Sequence, residues 1–308
     1  MTVDDIVQAR DGGGGRVRTH AAAWLAGSIS VVNLSILALA LTLILLGWFA
    51  APTTEGTPWW EQAVGIVGIV GAPILGGLIA SRRPGNPYGW LWLGYGMGFA
   101  LSSLADAYVA YTEAVGSAPI PVSWPVHLLS PLGWAASVIL VPFMLLLFPD
   151  GRLPSPRWRF AAWAYVVAIA VVLVLVPFRP DIAQSPFGVL SPIGDIIVVV
   201  TSAGVYVVFA AIVVSALSLV LRYRQSAGVQ RQQLKWLAYV ATLVGVWIIG
   251  DVLFPFGFAL LSIFGTVAFS GLYVAVGIAI LRHRLYDIDI LINRTLVYGS
   301  LTLMLALL

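Results

Sequence analysis

AAAWLAGSISVVNLSILALALTLILLGWFA, residues Ala21 to Ala50, carries no charged side chain along its whole length. A bilayer core about 30 Å thick is crossed by about 20 apolar helical residues, each adding about 1.5 Å. The run is also longer than a signal-peptide core of about 7–15 residues. It therefore predicts a start-anchor helix that stays in the membrane. Before it lie the polar residues through His20, with Gly12 to Gly15 and Arg10, Arg16 and Arg18. That composition predicts a flexible tail over 1–20.

The same reading extends along the chain. Further apolar runs at 61–81, 89–112, 126–148, 160–178, 195–221, 236–254 and 258–281 join 25–49. Barrel strands alternate over about 10 residues, whereas these runs are long and unbroken, and satisfy their backbone in lipid only as helices. The fold class is all-α, a polytopic transmembrane bundle of about eight full spans over 21–281. The stretch 295–308 would reach only about 21 Å as a helix, so it is expected to be the start of an incomplete ninth span. Of the 308 residues, 60% are hydrophobic and 9% charged, against about 25% charged in a soluble domain. With no cysteine, thiolate metal sites and thiol nucleophiles are excluded. A net charge of +3 spread over loops gives nucleic-acid binding no support.

Orientation follows from Lys and Arg. With the N-terminus in the cytoplasm, the inner segments hold Arg10, Arg16 and Arg18; Arg82 and Arg83; Arg152, Arg157 and Arg159; Arg222, Arg224, Arg231 and Lys235; and Arg282, Arg284 and Arg294. Every basic residue except Arg179 then falls inside. Aromatic residues fall at the expected interfaces: Trp59, Trp60 and Trp124 outside, Tyr88, Trp90, Trp158 and Trp236 inside.

Two inner loops, RRPGNPYGW (82–90) and FPDGRLPSPRWR (148–159), are stiffened by proline and turn residues. They read as tight hairpins with headgroup-binding arginines or as docking surfaces for a cytoplasmic partner. A third contains RQQLKW (231–236). The fourth, RLYDIDILINRTLVYG (284–299), carries Leu285, Ile288 and Leu291 at helical spacing. Residues 282–294 therefore read as an amphipathic cytoplasmic connector, with Arg282, Arg284, Leu285, Asp287, Ile288, Asp289 and Arg294 as its signal-bearing positions.

In this order and spacing, the four segments resemble the N-terminal membrane region of bacterial sensor-histidine-kinase-like proteins, common among actinobacteria. The resemblance covers the chain from about residue 60 onward and implies a multi-pass protein of the bacterial plasma membrane, serving two-component signal transduction. It also implies a ninth span leading to cytoplasmic signalling modules. No nucleotide-binding or phosphoacceptor segment is present in these residues, so no enzyme activity and no cofactor are expected of them. His283 lies between two spans rather than on a long dimerising helix. Asp287-Ile288-Asp289 matches a DxD only by letters. No His pair has metal-ligand spacing.

Acids within the spans are the candidate ligand-binding groups. Asp106 and Asp251 sit at similar outer depth, with Glu113 and His127 nearby and Arg179, Asp181 and Asp195 on the same side. An aspartate at a helix centre costs roughly 2.5–3.5 kcal/mol on insertion scales, which makes function the default expectation. Gly94, Gly98, Ser102 and Asp106, spaced by four, form a small and polar stripe that predicts close packing and an inward-facing Asp106. Two readings fit: an outward-facing polar pocket that binds a small ligand or titrates, and interhelical hydrogen bonding of shallow, hydrated acids. Gly68, Ala72 and Gly76 predict another close contact, inside the bundle or at a homodimer interface. Pro73 and Pro142 are expected to kink their helices. A sensory, signal-coupling membrane module is the function these features favour. A small-solute transporter or channel is the alternative, disfavoured by the uniformly apolar cytoplasmic halves of the helices.

Overall fold

In the computed structural model, which describes residues 3–51, 59–116, 122, 124–148, 153, 158–181, 192–253 and 259–283, every regular element is a helix. In chain order these are α1 (Val3–Ala50), α2 (Trp59–Ile69), α3 (Gly71–Arg82), α4 (Pro87–Val115) and α5 (Trp124–Val138). They continue with α6 (Leu140–Leu147), α7 (Trp158–Leu175), α8 (Ile193–Gln225), α9 (Gly228–Leu253) and α10 (Ala259–His283). Among the described residues, 5 stretches are long and apolar enough to cross a membrane: His20–Ala50, Gln62–Arg82, Trp124–Leu147, Trp158–Phe178 and Ile193–Gln225. Leu234–Gly250 and Phe264–Gly277 are shorter apolar helical segments. The connector residues 284–294 and the run 295–308 lie outside the described residues.

Proline divides two of the expected spans. The turn at Val70 separates α2 from α3, whose first turn holds Pro73, and the turn at Ile139 separates α5 from α6, which holds Pro142. A proline removes a backbone donor and crowds the preceding turn, which breaks the helix ahead of it. At the second break the Tyr165 hydroxyl donates to the Ile139 carbonyl at 2.9 Å. At the first, Ser30 donates to the Pro73 carbonyl at 2.8 Å. No break, by contrast, marks the end of the tail expected over 1–20, because α1 runs back through Gly12 to Gly15. Each such glycine costs about 1 kcal/mol of helix propensity. Propagation from an existing helix needs no new nucleus, and that continuity carries the backbone helix to Val3.

The chain forms two compact units, Met1–Ile212 and Val213–Leu308, with the boundary inside α8. In the first, α4 packs against α1, α3 and α5. Although 29 residues long, α4 is not among the apolar stretches named above. Its sequence, PYGWLWLGYGMGFALSSLADAYVAYTEAV, is built from glycine, aromatic and small residues, because its neighbours are protein. Gly76 of α3 abuts it so closely that a Cβ there would lie 2.7 Å from the Leu93 amide nitrogen. A Cβ on Gly77 would lie 2.8 Å from Cβ of Ser30 on α1. The Gly76 stripe thus packs within the bundle. Asn33 of α1, fully buried, donates to the Leu93 carbonyl at 3.1 Å. Large apolar side chains such as Trp24, Phe160 and Trp163 remain on the outside, as a lipid-facing surface requires.

In the second unit α9 packs on α10, with the Trp247 and Phe269 rings 5.3 Å apart, edge to face. Gly228 opens α9 at φ 58°, a left-handed value that glycine adopts without strain.

Candidate functional site

The turn between α3 and α4 is fixed by its own polar groups. Asn86 caps α4 by accepting from the Tyr88 amide at 2.9 Å, and Pro87 follows in the first turn, where no donor is needed. Trp90 folds back, its indole donating to the Pro84 carbonyl at 2.9 Å. Gly89 lets α4 approach α3, since a Cβ would come 2.9 Å from the Ala80 Cα. Tyr88, expected near the membrane interface, is fully buried within the protein and packs on Phe148, ring centroids 5.7 Å apart. The cap fixes Tyr88 pointing inward; interface position alone did not fix its direction. Tyr88, Trp92, Tyr95 and Phe148, none more than 3% exposed, fill this end of the first unit.

Further along α4 the small and polar stripe meets α5, as its spacing predicts. A Cβ on Gly98 would lie 2.6 Å from the Gly133 carbonyl oxygen, and one on Gly133 would lie 2.9 Å from the Ser102 amide nitrogen. The Ser137 hydroxyl lies 2.9 Å from the Tyr95 carbonyl and 3.0 Å from that of Gly133. Ser102 and Ser130 hydroxyls are 3.4 Å apart, and the Asp106 carboxylate accepts from Ser130. Ser130, Gly133 and Ser137 form the matching stripe on α5. Their spacing of three and four is the sequence signal for them.

Asp106 departs from expectation in its direction. It belongs to the seam through Ser130, yet it is exposed on the first unit rather than buried inside it. Four-residue steps on a helix of 3.6 residues per turn drift by about 40° each. From Gly94 to Asp106 the stripe has turned about 120°, which carries the aspartate to the margin. The antiparallel register, Gly98 by Gly133 and Ser102 by Ser130, sets half-buried His127 at the level of Asp106. Glu113 is exposed two turns further along α4. Asp251 belongs to the last turn of α9 in the second unit, and its side chain lies outside the described residues. Of the connector, Arg282 and His283 fall on a described helix, the last turn of α10. Arg284, Leu285, Asp287, Ile288, Asp289 and Arg294 fall outside the described residues.

A second polar group closes the end of α7. Arg179 grips Asp181 with both sides of its fork, Nε to Oδ1 at 2.8 Å and Nη2 to Oδ2 at 2.5 Å. Its remaining nitrogen donates to Thr201 of α8 at 3.0 Å. Thr201, 1% exposed, returns its own proton to the Ile197 carbonyl at 2.7 Å. The hydrogen bond from Arg179 holds the Asp181 carboxyl below its ordinary range, and the same bond raises Arg179. Thr201 was invisible in an unbroken apolar run.

Among the described residues no group of three or more His, Asp or Glu side chains gathers as a metal site. The seam is a hydroxyl and carboxylate cluster joined by hydrogen bonds. No family model, curated protein or solved structure matches the chain. Its class therefore rests on the fold: an all-helical chain with the apolar helices of a membrane protein.

Proposed function

We propose that this chain is the sensory and signal-coupling membrane module of a histidine-kinase-like protein in a bacterial plasma membrane. It has eight spans, a cytoplasmic N-terminus and no catalysis of its own. The three spans beyond the clearly apolar ones are α4, α9 and α10. At 29, 26 and 25 residues, each exceeds the roughly 20 residues a bilayer requires. With all eight in place, every basic residue but Arg179 faces the cytoplasm.

The observation that carries the sensory reading is the continuity of α4. One uninterrupted helix bears Asp106 toward its outer end and Tyr88 in its first turn, while two of the three spans packed beside it are broken, at Val70 and Ile139, and α1 is continuous. A change in protonation or ligation at Asp106, with His127 at its level, would move a rigid rod against hinged neighbours. At the other end the rod contacts Phe148, the first residue of the second proline loop. Asp251 is the second outer acid in this reading. The connector 282–294 is the output, leading to a cytoplasmic signalling domain. A solute path is disfavoured by the aromatic plug of Tyr88, Trp92, Tyr95 and Phe148 beneath the Gly98–Gly133 contact.

The chain has no native cysteine, so Pro154→Cys can be labelled alone. In intact cells an impermeant reagent should reach it only after lysis; labelling before lysis overturns the topology. In proteoliposomes its labelling rate should change with external pH, and Asp106→Asn should abolish that change. Proton or solute flux that depends on Asp106 would replace the sensor with a transporter.

A further inference from the structure

The second unit carries a cleft of about 430 Å³ between the end of α8 and the start of α9. That is within the range of small-ligand sites, about 300–1,000 Å³. Its composition is graded along the helices. Of its lining residues, Arg224 and Lys235 stand toward the α8–α9 turn, which we take as the mouth, with Trp236 and Tyr239 as aromatic lining and Val220 and Ala238 as apolar wall. The wall continues along α9 to Thr242, seven residues or about 10 Å beyond Lys235. The mouth is strongly cationic. Arg222, Arg224, Arg231 and Lys235 lie within one turn region, and no aspartate or glutamate occurs from residue 196 to residue 250. Two aromatic faces already hold cations there: Arg231 lies over the Tyr223 ring at 5.4 Å and Lys235 over Trp236 at 5.9 Å.

We infer that this cleft binds an anionic phospholipid, its phosphate between Arg224 and Lys235 and an acyl chain along Val220, Ala238 and Thr242. A free phosphate would use only the mouth. A neutral or zwitterionic lipid would use the wall but gain little from two cations. Basic pockets between helices at a membrane surface are suited to anionic headgroups, and Trp and Tyr in the lining suit the headgroup level. The site needs only residues of the second unit.

The test uses the intact purified chain in a neutral detergent, where binding does not depend on which side the hairpin faces. Bound lipid is counted by native mass spectrometry with phosphatidylglycerol, phosphatidylcholine or inorganic phosphate added. Phosphatidylglycerol should bind in preference to phosphatidylcholine, and inorganic phosphate at equal concentration should not displace it. The double change Arg224→Gln and Lys235→Gln should weaken phosphatidylglycerol roughly thirtyfold, the factor two basic side chains at a membrane surface supply together. The pair Arg10→Gln and Arg16→Gln, elsewhere in the sequence, should not. Val220→Trp should fill the wall and expel the lipid with both cations intact; Thr242→Trp serves if that variant is not helical and monodisperse. Equal losses from both arginine-containing pairs would show unspecific charge attraction and overturn the site. Displacement by inorganic phosphate would overturn its lipid occupant.

Discussion

The Tyr88 ring and the Phe148 ring, both buried, meet with centroids 5.7 Å apart and planes 53° from parallel. One stands in the first turn of α4 and the other just past α6, so an aromatic contact ties the two proline-rich loops together. Phe148→Ala should therefore destabilise the first unit by about 3 kcal/mol, the low end for removing a buried Phe. Phe148→Leu should cost less than about 1.5 kcal/mol. Thermal unfolding in detergent separates the two.

Close backbone approach at Gly98 and open space at Gly65 give a paired test. A Cβ at Gly98 meets the Gly133 carbonyl, whereas one at Gly65 meets nothing within 4 Å. Gly98→Ala should cost about 1–3 kcal/mol by overpacking. Gly65→Ala should be neutral or stabilising by up to about 1 kcal/mol, since alanine favours helix. Equal melting temperatures for the two variants would mean that the seam is not closed.

At the α4–α5 margin, Ser130→Ala removes the hydroxyl that Asp106 accepts. Helical content should be unchanged by circular dichroism, because Gly98 and Gly133 still hold the helices together. The pH at which Pro154→Cys labelling changes should shift, since a hydrogen bond to the charged form of Asp106 has been lost. An unmoved midpoint would separate Asp106 from the response.

The Arg179–Asp181 pair makes a signed prediction. The carboxyl is held below its ordinary value of 3.8, so the pair's contribution is complete above that value and is lost as pH falls through the lower, folded one. Asp181 is 53% exposed, so the contribution should not exceed about 1 kcal/mol. Arg179→Gln should lower the melting temperature at neutral pH, and the deficit should shrink as pH falls below 3.8. A deficit that grows toward acid would contradict the pairing.

Long uncharged runs made the helices legible, since few other structures satisfy so many backbone groups in lipid. The four-residue spacing of Gly94, Gly98 and Ser102 revealed a contact face, but not its partner. Which residue opposes Ser102 depends on the register between two helices, and that is set by the Gly98–Gly133 approach. Direction was harder still. Tyr88 suited an interface by its position and is buried by its cap; Asp106 suited the interior by its spacing and lies at the margin by accumulated drift. Thr201 gave no signal, because a hydroxyl that bonds its own helix announces nothing about an arginine 22 residues earlier.

Helix α4 has a consequence for biosynthesis. A segment holding Asp106, Glu113 and several glycines gains little by entering lipid alone. Its partners α1 and α3 precede it along the chain and α5 follows. The growing chain would therefore deliver α4 to helices already waiting, with Asn33 and Gly76 forming a polar and close-fitting berth that lipid cannot imitate. Transplanted after an unrelated leader helix, the same 29 residues should slip through the translocation channel; synthesised behind α1 to α3, they should be retained.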